Sequence, residues 1–388
     1  MWIADGWREY EVLDTSGGEK LERWGKYVLV RPDPQVIWDT PHDAPEWKKK
    51  NAHYHRSNKG GGQWEFFDLP EQWEIGYELG RGASESRDDG EGAAQGGAKA
   101  VSSDATHALR FHLKPFQFKH TGLFPEQAVN WEWMAARIRE SGKAVPPAGA
   151  AGAGRTAAGA AGAGFTAAGA AGAVGAGATG AAADPFKDPS RFRVLNLFAY
   201  TGGATVACAA AGAVVTHVDA AKGMVAWAKE NAAASGLGEA PIRYLVDDCV
   251  KFVEREIRRG NRYDGIVMDP PSYGRGPKGE IWKIEEKVYD LIRLCTQILA
   301  EDASFFLINS YTTGLQPAVL TYMLDTMITP NFGGHVEASE IGLPVRNASI
   351  PPFEGAQPGK KAGDGQANAG KRPKMVLPCG ASGRWSGR

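Results

Sequence analysis

From about residue 185 to the end of the chain, short apolar runs alternate with segments whose apolar positions recur every three or four residues. Period-two or fully apolar runs predict strands at 193–198, 214–219, 242–246, 263–269, 303–309 and 334–340, and near 375–380. The helical period predicts helices at 203–212, 221–235, 248–259, 284–299 and 315–328. Regular alternation of this kind means parallel βαβ units, in which helices cover both faces of a doubly wound α/β sheet. Ligands of such sheets bind beyond the carboxyl ends of the strands, at the switch point.

The first part, 1–81 with 105–118, follows another rhythm. LERWGKYVLVRP, AHYHRSN, GQWEFF, WEIGYEL and HALRFHLKP carry β-branched and aromatic residues between Gly, Pro and Asp breaks. They predict a small antiparallel β domain over 1–118, followed by a second domain over 119–388. Three segments, 82–104, 147–183 and 354–374, are rich in Ala and Gly or in mixed polar residues. They read as inserts that bury too little apolar surface to offset their ordering entropy.

Composition narrows the class. With 388 residues and a net charge of −1, the chain has material for two cores and no overall polycation character. Any nucleic-acid contact must come from local basic patches. The four cysteines form no CxxC pair, which fits a reducing compartment and argues against a zinc ribbon. The reading carries no metal. No run is long and apolar enough to span a membrane, and the acidic, aromatic start is unlike a signal or transit peptide. The expectation is a soluble intracellular protein, cytoplasmic or in an organelle.

The chemistry gathers at predicted strand ends. VLNLFAYTGGAT (194–205) runs from a buried strand through Tyr200-Thr201-Gly202-Gly203 into a small-residue helix, with Asn196 on the strand. Glycines there let backbone approach a ligand, and the helix start offers free N–H groups. The spacing is not GxGxxG, which weakens a dinucleotide reading, and Tyr200 occupies the place of a second glycine. The second strand ends in Asp219, about twenty residues on, where a carboxylate accepts ribose hydroxyls. The third ends in Asp247-Asp248, either of which could accept from an adenine amino group. Asp248 is preferred because it opens the next helix, and a plain N-cap role is compatible with that. The fourth ends in Asp269-Pro270-Pro271-Ser272-Tyr273, a turn stiffened by its prolines. Asp269 and the turn carbonyls are expected to face a substrate nitrogen, with Tyr273 stacked on a planar base. The following loop, GRGPKGEIWKIEEK, offers Arg275 and Lys278 for phosphate and Trp282 as a second stacking surface. Arg255, Arg258, Arg259 and Arg262 form another basic group, read as a solvated face.

NLFAYTGG, HVDAAKG, DD with KF close behind, and DPPSYGRG together resemble the class I S-adenosylmethionine (SAM) methyltransferases. More closely, the chain is similar to the bacterial large-subunit ribosomal RNA methyltransferase families that place a small β domain in front. The resemblance covers roughly 105–350. In those families a GxFxDQR-like segment contacts the cofactor, and KHTGLFPEQAVNW (119–131) occupies that place with Gly122, Phe124, Glu126 and Gln127 matching. Ala128 stands where the arginine is expected. The resemblance implies a seven-stranded Rossmann-like sheet and SAM as cofactor, with Phe124 and Gln127 among its contacts. It also implies RNA, most plausibly ribosomal, as partner. LPCGASGRW (377–385) is similar to the closing strand of a bacterial group of SAM-dependent methyltransferases.

Carbon-5 methylation of a pyrimidine normally needs a cysteine nucleophile. Ser272 and Asn309-Ser310-Tyr311 occupy the places where one would stand, and Cys295 falls on an apolar helix face. Methylation of a base nitrogen is therefore preferred. The competing readings are a methyltransferase for a protein side chain or small molecule, a NAD-binding oxidoreductase, and an inactive RNA-binding protein.

Overall fold

The computed structural model describes residues 1–57, 61–80, 107–116, 119–147, 184–275, 281–346 and 375–388, with the Arg275 side chain excepted. The inserts expected at 82–104, 147–183 and 354–374, apart from residue 147, lie outside the described residues, as does Lys278.

The main sheet has eight strands in the order β1-β16-β17-β15-β12-β9-β10-β11. Five of them, β9 (Arg193–Leu197), β10 (Val214–Asp219), β11 (Ile242–Val246), β12 (Gly265–Met268) and β15 (Phe305–Ser310), run parallel. They alternate with α2 (Gly203–Ala210), α3 (Lys222–Ala234), α4 (Cys249–Arg259), α5 (Ile284–Thr296) and α6 (Pro317–Met327). The strand order reverses between β9 and β12, which opens the switch-point crevice at their carboxyl ends. β17 (Val376–Ser386) inserts antiparallel between β15 and β16 (His335–Pro344). The seven expected strands are all present. The eighth, β1 (Trp2–Ile3), pairs parallel with β16 at the sheet edge. Two residues carry too little pattern to be seen in sequence.

The first part forms a five-stranded sheet in the order β2-β3-β4-β5-β6. Its strands are β2 (Tyr10–Ser16), β3 (Glu19–Trp24), β4 (Tyr27–Pro32), β5 (Ala52–Arg56) and β6 (Gly62–Phe66). Pairing is antiparallel except between β4 and β5. β2 escaped the sequence pattern because it buries Asp14, whose carboxylate accepts the Trp47 indole N–H at 2.8 Å. Helix α1 (Ala128–Glu140) also went unpredicted, although Trp131, Met134, Ala135 and Ile138 lie on its buried face.

A separate hairpin, β7 (Trp73–Leu79) with β8 (His107–Leu113), docks on α3. An open strand edge exposes unpaired backbone groups. Here Trp227, Asn231 and Ser235 close it from the helix. Trp227 Nε1 donates to the His112 carbonyl (2.9 Å), Asn231 Oδ1 accepts the His112 N–H (2.9 Å) and Ser235 Oγ accepts the Arg110 N–H (2.9 Å). One hydrophobic cluster runs from Ala4 and Trp24 through α1 to Val194, Phe305 and Leu377, so the two parts share a core.

Candidate active site at the carboxyl ends of the parallel strands

The turn that leaves β9 is strained. Phe198 (φ 54°) and Tyr200 (φ 49°) are the only non-glycine residues with positive φ among the described residues. Bulky side chains resist this region at a cost of order 1–3 kcal/mol each. Gly202 follows at φ 83°, and a Cβ there would stand 2.8 Å from that of Ala228. The conformation presses the Tyr200 N–H onto Asp219 Oδ2 at 2.8 Å, while Asp219 Oδ1 accepts the Ala221 N–H at 2.8 Å. Burial pushes the Asp219 carboxyl above its usual range, and the two amides pull the other way.

Residues 119–127 strap this turn to the first sheet. Thr201 Oγ1 donates to the Gly122 carbonyl (2.5 Å), and the Trp7 indole donates to the Pro125 carbonyl (2.8 Å). Arg31 donates to the Lys119 carbonyl (2.8 Å), and Lys119 Nζ returns a bond to the Pro32 carbonyl (2.8 Å). Gly122 (φ 99°) lets the strap cross Trp227, whose ring would lie 2.3 Å from a Cβ. Behind it sits fully buried Glu22, held by Arg31 at 2.6 and 2.9 Å and by the Tyr10 hydroxyl at 2.7 Å. Burial works against its charge, but Arg31 and Lys20 prevail and hold the carboxyl down at about 2.

Strap, turns and first sheet enclose a cavity of about 690 Å³, within the usual range for small-molecule sites. Its walls bring together most of the residues singled out in the sequence. Phe124, Tyr200, Asp219, Asp248, Asp269, Pro270, Pro271 and Trp282 all line it. A smaller adjoining space takes in Gln127, Asn196, Thr201 and Gly203. Of these, Asn196 is turned to Thr205 (2.9 Å), and Gln127 donates to the Tyr311 hydroxyl (2.7 Å). Asp248 caps α4 by accepting the Lys251 N–H at 2.9 Å and still faces the cavity. Asp247 faces Arg255 in an ion pair and is not on the cavity wall. Gly202 acts through backbone geometry and lines neither space.

At the far end, Asp269 is raised to about 7, first by burial and then by the charge of Glu126. Glu126 shares the wall, and burial raises it too. The Pro271 carbonyl is taken by the Trp282 indole (2.7 Å), which packs on Phe198 with centroids 5.2 Å apart. Tyr273, on the hairpin of β13 (Tyr273–Arg275) and β14 (Ile281–Lys283), is exposed and outside the cavity wall.

The topology also delivers residues that sequence reading left out. Lys20, Arg31, Asp33 and Gln35 arrive from the first sheet, Tyr311 follows β15, and Cys379 comes with β17. Nothing local marks the first four, since the packing of the first sheet on the strap and the shared core brings them to the site. Cys379 enters because β17 lies beside β15. Burial, then Glu126, pushes its thiol well above the usual value, which leaves it a poor nucleophile. Cys295 is fully buried, as expected.

The arrangement fits an adenosine-bearing ligand. Asp219 offers lone pairs where hydroxyls would come, and Tyr200 Oη is buried without a hydrogen-bond partner among the described residues. Residues 187–313 match the family model described as S-adenosylmethionine-dependent methyltransferase. Ribosomal RNA large subunit methyltransferase K of Neisseria meningitidis is 30% identical over 142 residues, 36% of this chain and 38% of that protein. The K/L enzyme of Pseudoalteromonas atlantica is 35% identical over 119 residues, 30% of this chain but 16% of that protein. The chain thus spans well under half of these curated relatives. The solved SAM-dependent methyltransferase of Agrobacterium tumefaciens superposes with a TM-score of 0.67 at 27% identity, covering 100% of this chain and 93% of that one. A second fold, crystallised with SAH, aligns at 0.52 and 18% identity over 87% of this chain and 70% of that one. The match over residues 187–313 and the superposition over the whole chain place the sheet among SAM-dependent methyltransferase α/β folds, here joined to an N-terminal β region.

Proposed function

We propose that this protein transfers a methyl group from SAM to a nitrogen of a nucleobase in RNA, with ribosomal RNA the best match. The observation that carries the reading is that Asp219, Tyr200 and Asp269 line one cavity at the ends of β10, β9 and β12. When bound, SAM supplies an electrophilic methyl group. Asp219 would hold the ribose hydroxyls, Asp248 and the adjacent Val250 would border the adenine, and Phe124 and Tyr200 (centroids 5.5 Å apart) would wall the methionine end. Asp269 would accept the N–H of the acceptor and take its proton, a task suited to a carboxyl poised near neutral pH. Trp282 would close the cavity over a flipped base.

RNA is favoured by the names of the relatives and by the first sheet. There Phe66 and Phe67 are exposed, the Lys50 ammonium lies 5.8 Å from the Phe67 ring, and Lys48 and Lys49 precede Lys50 in the chain. Aromatic faces with interleaved cations suit single-stranded nucleic acid. Arg275 and Lys278 extend this proposal as phosphate contacts, tested by the salt dependence of RNA binding in Arg275→Ala.

Calorimetry with SAM and with NAD tests the cofactor. SAM is expected to bind, and Asp219→Ala to weaken it by at least about tenfold, the loss of one or two charge-assisted hydrogen bonds. Tritiated SAM offered to separate RNA, protein and small-molecule fractions tests the substrate. Label in protein alone would sink the RNA reading and leave the cofactor reading intact.

A further inference from the structure

On the first sheet, away from the cavity, one donor atom each from His53, His55 and Glu65 lies within 4.8 Å of the others. His53 and His55 are two apart on β5 and therefore share a face. Glu65 stands opposite His53 across the β5–β6 pair. The two imidazole centroids are 4.0 Å apart, and His55 Nε2 lies 2.9 Å from Glu65 Oε2. His53 Nε2 meets Glu19 Oε1 of β3 at 2.6 Å, which leaves Nδ1 as its second ring nitrogen. None of these four residues lines the cavity.

Two imidazoles and a carboxylate are the donor set of zinc and similar borderline divalent ions. A carboxylate on the other nitrogen of a ligating histidine fixes its tautomer and ring orientation. We propose that His53, His55 and Glu65 bind a divalent transition-metal ion, with Zn²⁺ the best match, and that Glu19 positions His53 for it. Three protein ligands leave a fourth position for water. The sequence reading carried no metal because strand register, not motif spacing, assembles the donors. The ion would also do mechanical work. β5 joins β4 through only two registered pairs, Leu29 with Ala52 and Val30 with His53. A metal would fasten the outer β5–β6 hairpin and, through Glu19, tie it across to β3.

The test uses tag-free, full-length protein stripped with EDTA and titrated with Zn²⁺ by equilibrium dialysis, with Co²⁺ absorption as the readout of coordination. One ion per chain is expected, with a rise in Tm on loading. His53→Ala and His55→Ala should each weaken uptake at least about tenfold, and Glu19→Gln by about 10–100-fold. Metal-free melting of each variant reports whether it folds, and Glu65→Gln gives a milder fourth variant. No uptake by the wild type in large molar excess of Zn²⁺ would overturn the proposal. So would uptake unchanged in folded His55→Ala and Glu65→Gln.

Discussion

Asp269 is sensitive to pH first because it is buried and then because Glu126 faces the same cavity. Its carboxyl is held at about 7, so it is protonated and unable to accept a proton below that value. Methyl transfer, read as kcat/KM, is expected to rise with pH through about 7 and then level. Asp269→Asn should abolish that limb with the activity, and Glu126→Gln should move its midpoint to lower pH. The same shift acts on stability with a definite sign. A raised carboxyl pKa favours the folded state at low pH, and that contribution is lost as pH rises from the unfolded value through about 7. Asp269→Asn is therefore expected to raise Tm at pH 8 more than at pH 5, by thermal melting without cofactor. Cys379 supplies the chemical control, since its suppressed thiol predicts no covalent step. Cys379→Ala should keep methyl transfer within a few-fold, and complete loss in a folded variant would point to carbon-5 chemistry. Legibility at this scale followed local context. Asp219, Asp248 and Asp269 were readable because each ends an apolar strand, whereas Cys379 and Arg31 become neighbours of the site only through pairing that no local string records.

Helix α3 shows how an element can serve two partners. Asn231 is fully buried, accepts from His112 of β8 and donates to the Thr201 carbonyl in the strained turn (2.8 Å). Asn231→Ala would leave a buried donor and a buried acceptor unpaired, at roughly 1–3 kcal/mol each. A drop of that size in denaturant stability, with weaker SAM binding, is the expected result. Stability loss with unchanged SAM affinity would show that the turn does not depend on this bond. The βα alternation of the second half was legible because four parallel strands, β9, β10, β12 and β15, are buried on both faces and read as apolar runs. β2 and α1 were not, since Asp14 and Asn130 place polar groups at core positions and are satisfied by partners distant in sequence. Asn130, for example, bonds Asn309 at 3.0 Å and Arg384 at 2.7 Å.

At the scale of the molecule, the first sheet is part of the site's frame. Glu22 and Arg31 link it to the strap that carries Phe124 and Glu126. Arg31→Ala leaves buried Glu22 with only Lys20 and the Tyr10 hydroxyl and is expected to cost up to about 3 kcal/mol, seen as a lower Tm. A sequence boundary at 118/119 is proposed in topology; a fragment of 119–388 is nonetheless expected to be poorly soluble, because the shared core would lie open. No helix among the described residues is long and apolar enough to cross a membrane. The place of β17 has a consequence for biosynthesis. This strand follows every other described strand of the sheet in chain order, yet it fills the gap between β15 and β16, delivers Cys379 to the cavity and sets Arg384 over the Trp2 ring at 3.6 Å. During synthesis, β1 and β17 can meet only after the other described strands of the sheet have been made. A chain stopped short would display two unpaired strand edges and an open cavity, a form prone to aggregation and open to proteolysis.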